Sequence, residues 1–256
     1  MLEAIQNPAC GWFYRADAST FKDIPGTPIA YWASESMLEA FASRQCIREM
    51  IALKKGMSTG NNDLFIRTWQ EVSMDKVALG VESQNEADVS GAEWFPINSG
   101  GGYRKWYGNN CYLVNWQNNG AVMKDYATKL NGGKHWSRYI VNTDSFFKKG
   151  ITWNGISSDA FSCRWYPTGF LFSSASMCCF TENSLHYLGL LNSSASASAL
   201  SFLAPTLNFG PLQVGSLPDC ETSDKANELV ESCLTYSQSD WDSFETSWDF
   251  KRHPLV

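Results

Sequence analysis

Between Tyr103 and Arg164 the chain interleaves cations with flat rings. Arg104 and Lys105 precede Trp106 and Tyr107, Lys134 and His135 precede Trp136, Arg138 adjoins Tyr139, and Lys148 and Lys149 run up to Trp153. Ammonium and guanidinium groups neutralise phosphates and planar side chains stack on bases, so this mixture has the chemistry of a nucleic-acid surface. Aromatics spaced by two residues are equally the mark of a strand's buried face, and composition leaves both readings open. Short amides and hydroxyls cluster at Thr59, Asn61 and Asn62, at Asn109 and Asn110, and at Ser157 and Ser158. On a loop held by a scaffold such groups are free to bond a ligand; an ordinary turn uses Asn as well, for its tolerance of positive φ. His135 suits a phosphate contact or a plain surface position better than it suits a catalytic base.

The net charge of -6 argues, taken alone, against a polyanionic partner. Its distribution argues the other way. Residues 1–100 carry 8 basic and 13 acidic side chains, residues 101–170 carry 9 and 3, and residues 171–256 carry 3 and 10. A positive middle between acidic flanks predicts one polyanion-binding face, with the flanks turned to solvent or to partners.

Enzyme signatures are missing from this sequence: no G-x-x-x-x-G-K-[ST] phosphate loop, no G-x-G-x-x-G turn, no H-E-x-x-H and no G-x-S-x-G. The 8 cysteines form no C-x-x-C pair and only 3 histidines accompany them, so they read as reduced thiols filling the core. Adjacent Cys178 and Cys179 are the one place left for redox or metal chemistry. With no apolar run of about 18 residues and no signal-peptide pattern after Met1, the expectation is a cytoplasmic protein that does not engage a membrane.

The elements that must position these residues form a mixed α+β pattern, β-rich in the middle with helical segments toward the C-terminus. A strand is predicted at Ile29 to Trp32, then a helix capped by Ser34 with Met37, Leu38 and Phe41 on its apolar face. A polar loop from Gly56 to Asn62 enters a strand that reaches Arg67. From Ala92 to Asn119 the pattern predicts a hairpin system, with strands at Trp94–Phe95, Tyr103–Tyr107 and Cys111–Trp116 and a turn at Gly108-Asn109-Asn110. Trp153 to Phe172 is a second β-rich run. A helix capped by Thr181 is predicted from Glu182 to Leu191, and the Ser/Ala tract from Ser193 to Ser201 either extends it or links onward. Thr206 to Phe209 reads as a short strand. Ser223 and Ser239 read as caps of two final helices, the second placing Trp241, Phe244 and Trp248 on one face.

Several strings in this order, spanning nearly the whole chain, resemble the region downstream of the catalytic domain in PglX-type adenine-specific DNA methyltransferases of BREX phage-defence systems. They include Ile24-Pro25-Gly26-x-Pro28-Ile29-x-Tyr31-Trp32, Thr59-Gly60-x-Asn62-x-x-Phe65-x-Arg67, Arg104-Lys105-Trp106-Tyr107-Gly108-Asn109, Gly150-Ile151-Thr152-Trp153 and Ile156-Ser157-Ser158. Further on come Leu190-Leu191-Asn192-Ser193, Pro205-Thr206-Leu207-Asn208-Phe209 and the segment from Asp240-Trp241-Asp242 to Trp248-Asp249-Phe250. The Arg-Lys-Trp-Tyr-Gly-Asn string and the last segment are the most specific. Ala204, where Asn is expected before Pro-Thr, and the Cys178-Cys179 pair are departures.

The resemblance implies a division into an N-terminal connector (1–50), a β-rich target-recognition domain (51–218) and a C-terminal helical segment (219–256). It implies that the parent enzyme transfers methyl from S-adenosylmethionine to adenine in double-stranded DNA after flipping the base into an Asn-Pro-Pro-aromatic motif. Asn7-Pro8-Ala9-Cys10 lacks that motif's second proline and aromatic residue, so this chain is expected to bind no cofactor and to be unable to methylate alone. Its expected role is recognition. Arg104, Lys105, Lys134, His135, Arg138, Lys148, Lys149 and Arg164 would meet phosphates or guanine edges, and Thr59, Asn61, Asn62, Asn109, Asn110, Ser157 and Ser158 would supply short polar contacts. The catalytic half and other BREX proteins are the expected protein partners. A docking module that binds those proteins without touching DNA is the competing expectation.

Overall fold

The computed structural model describes residues 2–7, 9–11, 17–157 and 160–255. In chain order the elements are α1 (Leu2–Gln6), α2 (Glu35–Ser43), α3 (Ile47–Met50), β1 (Ala52–Lys55), α4 (Asn62–Phe65), β2 (Ile66–Thr68), α5 (Gln84–Ser90), β3 (Trp94–Asn98), β4 (Tyr112–Asn115) and α6 (Gln117–Leu130). They continue with β5 (Gly150–Asn154), β6 (Cys163–Tyr166), β7 (Leu171–Phe172), β8 (Ser176–Phe180), α7 (Ser184–Asn192), α8 (Ser194–Leu203), α9 (Pro211–Gly215) and α10 (Asp224–Trp241). This is the mixed α/β architecture the sequence pattern predicts, strand-rich in the centre and helical toward the C-terminus.

The strands form two four-stranded sheets. The first has the order β1-β8-β5-β6 and is antiparallel throughout; the second, β2-β4-β3-β7, ends in the parallel pair β3 and β7. Successive side chains on a strand point to opposite faces, and the first sheet uses both. Ile151, Trp153, Cys163 and Cys179 face a core closed by α2, α3, α7, α8 and α9, while Tyr166 and Cys178 face a second core shared with the second sheet and α6. Cys178 and Cys179 therefore lie on opposite sides of β8. Each is a buried free thiol whose pKa burial raises, that of Cys178 to about 11, so the pair is apolar filling. Packing is continuous across positions 50 and 218: Phe41 and Ile47 share the first core with Leu188, Leu217 and Val230.

Caps anticipated at Ser34 and Ser223 are in place, their hydroxyls accepting from Met37 N and Ala226 N. Other expectations are corrected. Ile29 to Trp32 is not a strand; the segment runs through turns, and the Trp32 indole donates to Ser201. The helix expected at Glu182 starts at Ser184, and the Ser/Ala tract is a helix of its own, α8, capped by Ser193. Thr206 to Phe209 forms only a one-residue bridge, Asn208 to Ile156, because Leu207 has φ +56 and turns the chain away.

Tyr103 to Tyr107 is also not a strand. Left-handed backbone at Gly100, Gly101, Trp106 and Gly108 breaks any ladder, leaving Trp106 to bridge Arg164 at the edge of β6. Ser239 caps nothing: α10 runs through it to Trp241, and residues 242–250 continue as turns. The helix α6 was absent from the sequence reading. It is introduced by Asn118, Asn119 and Gly120, with φ of +52, +58 and +66, a left-handed turn of residue types that tolerate it. At Gly120 a Cβ would sit 2.4 Å from the Trp116 ring, so a glycine is required there.

Candidate nucleic-acid interface

The loop from Gly56 to Asn62 is pinned at its start. Met57 N donates to Phe172 O (3.0 Å) and Ser58 N to Tyr139 O (2.8 Å), which fixes the loop beside the segment that follows α6. Gly60, at φ +75, packs so closely on α6 that a Cβ would lie 2.6 Å from Leu130 Cδ1. Thr59 is buried and its hydroxyl donates to Asn62 Oδ1 (2.6 Å), while Asn61 Oδ1 accepts from Leu64 N (3.2 Å) and caps α4. Asn62 itself faces solvent.

Across from this loop, the His135 ring lies against Trp136 with centroids 4.5 Å apart, and its Nδ1 accepts from Ser137 N. The Lys124 ammonium lies over the Trp116 and Trp136 rings, at 5.1 and 4.9 Å, and burial lowers its pKa. Lys134 and Arg138 are exposed, and neither enters an ion pair among the described residues. Of the residues expected at the interface, Thr59, Asn61, Asn62, Lys134, His135 and Arg138 are thus brought to one edge. Lys124 was missed with α6; the Asn-Asn-Gly run preceding it is the signal that marks the turn.

A second group meets elsewhere and is occupied. Arg104 reaches Asp240 Oδ2 through Nη1 (3.0 Å) and Nη2 (3.1 Å), and its guanidinium lies 5.0 Å from the centroid of Trp241. Lys105 Nζ donates to Asn192 O (2.8 Å), tying this loop to α7. Asn109 donates to Gly102 O and stands at φ +63, which makes it a turn residue; Asn110 is buried. Burial, and behind it Asp242, pushes the Tyr107 hydroxyl up to about 12. Arg164 is 2% exposed, donates from Nη2 to Asn154 Oδ1 (3.0 Å), and has its pKa lowered to about 10, chiefly by burial.

The remaining residues lie apart from both groups. Lys148 is exposed, and Lys149 is 3.5 Å from Glu182. Ser157 is half-buried early in the β5–β6 connection, where its backbone N donates to Leu207 O, and Ser158 lies outside the described residues, as does Pro8. Among the described residues no helix is long and apolar enough to cross a membrane.

Fold and site together form an α/β module in which two sheets and their helices hold a polar loop beside exposed cations. Comparison with known proteins places that module. The chain is 41% identical, over 261 residues covering 100% of its length, to 21% of the adenine-specific methyltransferase PglX of Lacticaseibacillus casei (strain Zhang). It is 34% identical, over 92% of its length, to 18% of the adenine-specific methyltransferase BrxX of Escherichia coli O9:H4 (strain HS). The chain is homologous to one segment of these PglX/BrxX-type BREX methyltransferases, spanning about a fifth of the length of the curated relatives it matches. No protein-family model matches it. A solved structure of the type IIL restriction-modification enzyme MmeI in complex with DNA superimposes on 82% of this chain and 31% of that one, with a TM-score of 0.43 and 12% identity, a likeness too distant to carry residues across.

Proposed function

We propose that this chain is the DNA target-recognition portion of an adenine-specific BREX methyltransferase, and that its edge formed by Asn62, Lys134, His135 and Arg138 meets the duplex. The observation that carries this reading is the exposure of Lys134 and Arg138, unneutralised among the described residues, beside a loop held by backbone bonds at Met57 and Ser58 and by the packing of Gly60 on α6. Cations so placed exchange condensed counterions for phosphate contacts, and a rigid loop presents Asn62 to a base edge or the backbone without ordering cost. Methyl transfer and S-adenosylmethionine belong to the remainder of such an enzyme.

Fluorescence anisotropy with labelled duplex DNA across a salt series, with and without the catalytic half in trans, tests the proposal. Binding should fall steeply with salt and become sequence-selective when the catalytic half is added. Replacing Lys134 and Arg138 by Ala should flatten the slope of log K against log salt by about 2, one phosphate each. An unchanged slope removes these residues from the interface. The helix α10 supports a second reading, docking on the catalytic half, because it exposes Leu229 and Tyr236 among Glu228, Glu231 and Asp240. Association with the catalytic half that α10 substitutions abolish, in a chain that never binds DNA, would favour it.

A further inference from the structure

Arg164 poses a physical problem. Its guanidinium is buried, and among the described residues no carboxylate pairs with it and Nε and Nη1 find no acceptor. Its titratable neighbours are the thiols of Cys163, Cys178 and Cys111, which burial keeps protonated, and another cation, Arg104. Buried charge left without a counter-charge is expensive, and proteins ordinarily arrange a partner for it.

Among the described residues the one side chain to which Arg164 donates is Asn154, and Asn154 lines a cleft of about 420 Å³. The far side of its amide donates from Nδ2 to Gly101 O (2.6 Å), so Asn154 ties the buried cation to the loop at the cleft wall. That loop is held in turn by Gly100 N donating to Ser176 Oγ (2.8 Å). Gly101 has φ +119, and a Cβ there would meet Asn109 Nδ2 at 2.6 Å, so this wall is bare backbone by necessity. Lys55, Ser99, Ser174 and Asn208 also line the cleft, and Lys55 is the sole charged group among its described lining residues. At the lip stands Ile156, 76% exposed. Cation, amides and hydroxyls around a concavity whose described lining holds no carboxylate, backed by a guanidinium unneutralised among the described residues, make an anion seat.

We propose that this cleft seats a phosphate group of the nucleic-acid backbone between Lys55 and Asn208, with Arg164 supplying positive charge from behind Asn154 and Ile156 covering the attached deoxyribose. The proposal rests on the DNA-recognition reading above and adds a contact remote in sequence from Lys134 and Arg138. Arg164 then acts on DNA without touching it.

Titration of the isotope-labelled chain with the dinucleotide d(TpT), followed by NMR at the amides of Gly101 and Gly155 and the side-chain amides of Asn154 and Asn208, tests it. Saturable shifts with d(TpT) and none with thymidine are expected. Lys55→Gln should weaken the effect about tenfold, the worth of one charge-assisted hydrogen bond. Arg164→Met, close to Arg in length, should abolish the shifts while the melting temperature without ligand stays level or rises, because a buried unpaired charge has been removed. Equal shifts with thymidine, or indifference to Lys55→Gln, would overturn the seat. Shifts with inorganic phosphate but not with d(TpT) would make it a free-anion site and overturn the backbone assignment. Duplex binding that depends on Lys134 and Arg138 while d(TpT) leaves the cleft silent defeats this proposal alone; shifts at the cleft without any duplex binding support the seat and defeat the wider reading.

Discussion

Two stretches of the positive middle block carry similar residues and meet opposite fates. Arg104 and Lys105 lie in a loop rich in left-handed backbone, and the fold consumes both: one clasps α10, the other the end of α7. Lys134 precedes a single helical turn beyond α6, Arg138 ends it, and both stay in solvent. A cation near an aromatic is therefore two different objects. Where the fold brings an acceptor to it, the Asp240 carboxylate for Arg104 and the Asn192 carbonyl for Lys105, it is mortar between elements; where it does not, it is available to a ligand.

This contrast is exposed to direct attack. The largest expected effect is that of Trp241→Ala, which removes a buried indole from over Arg104 and beside Gly108. It should destabilise the chain by about 3 kcal/mol in urea denaturation while leaving the salt slope of DNA binding intact. Arg104→Ala should cost about 1 kcal/mol, from one half-exposed ion pair and one cation–ring contact. It too should leave the salt slope unchanged; a flatter slope would return Arg104 to the interface and erase the distinction. The smallest effect is expected of Asn61→Ala, which removes the cap of the single-turn α4 and should cost under about 1 kcal/mol. If that change weakens DNA binding more than it lowers stability, the Gly56–Asn62 loop depends on its fixed shape to present Asn62.

Local signals in the sequence were faithful wherever the deciding interaction is local. The hydroxyl caps at Ser34 and Ser223 need only neighbouring residues, whereas β3 pairs directly with β4 because the strand expected between them, Tyr103 to Tyr107, does not form. The helix α6 escaped notice because its entrance looks like a loop and its buried stripe is thin, Met123 and Ala127 with half-buried Tyr126. The end of α10 was misjudged for the opposite reason: what carries the helix through Ser239 is Arg104, 136 residues away from Asp240. The same limit governs the candidate site. Nothing in the run Cys163-Arg164-Trp165 distinguishes a buried arginine from an exposed one, since the difference lies in which face of β6 the residue occupies and what the other sheet places there.

The clasp on Arg104 also bears on how such segments could be exchanged between relatives. The turns after α10 fold back on the second sheet: Trp69 Nε1 donates to Thr246 O, Gln70 Nε2 to Glu245 O, and Trp248 packs on Phe170. A graft cut at residue 218 would carry Arg104, Trp69 and Phe170 into a new host stripped of their companions, whereas one extended through Phe250 would travel with its own seams closed. Exchanging this segment is therefore a transplant whose margin is set by a clasp of charge and indole, far along the chain from the edge at Lys134 and Arg138.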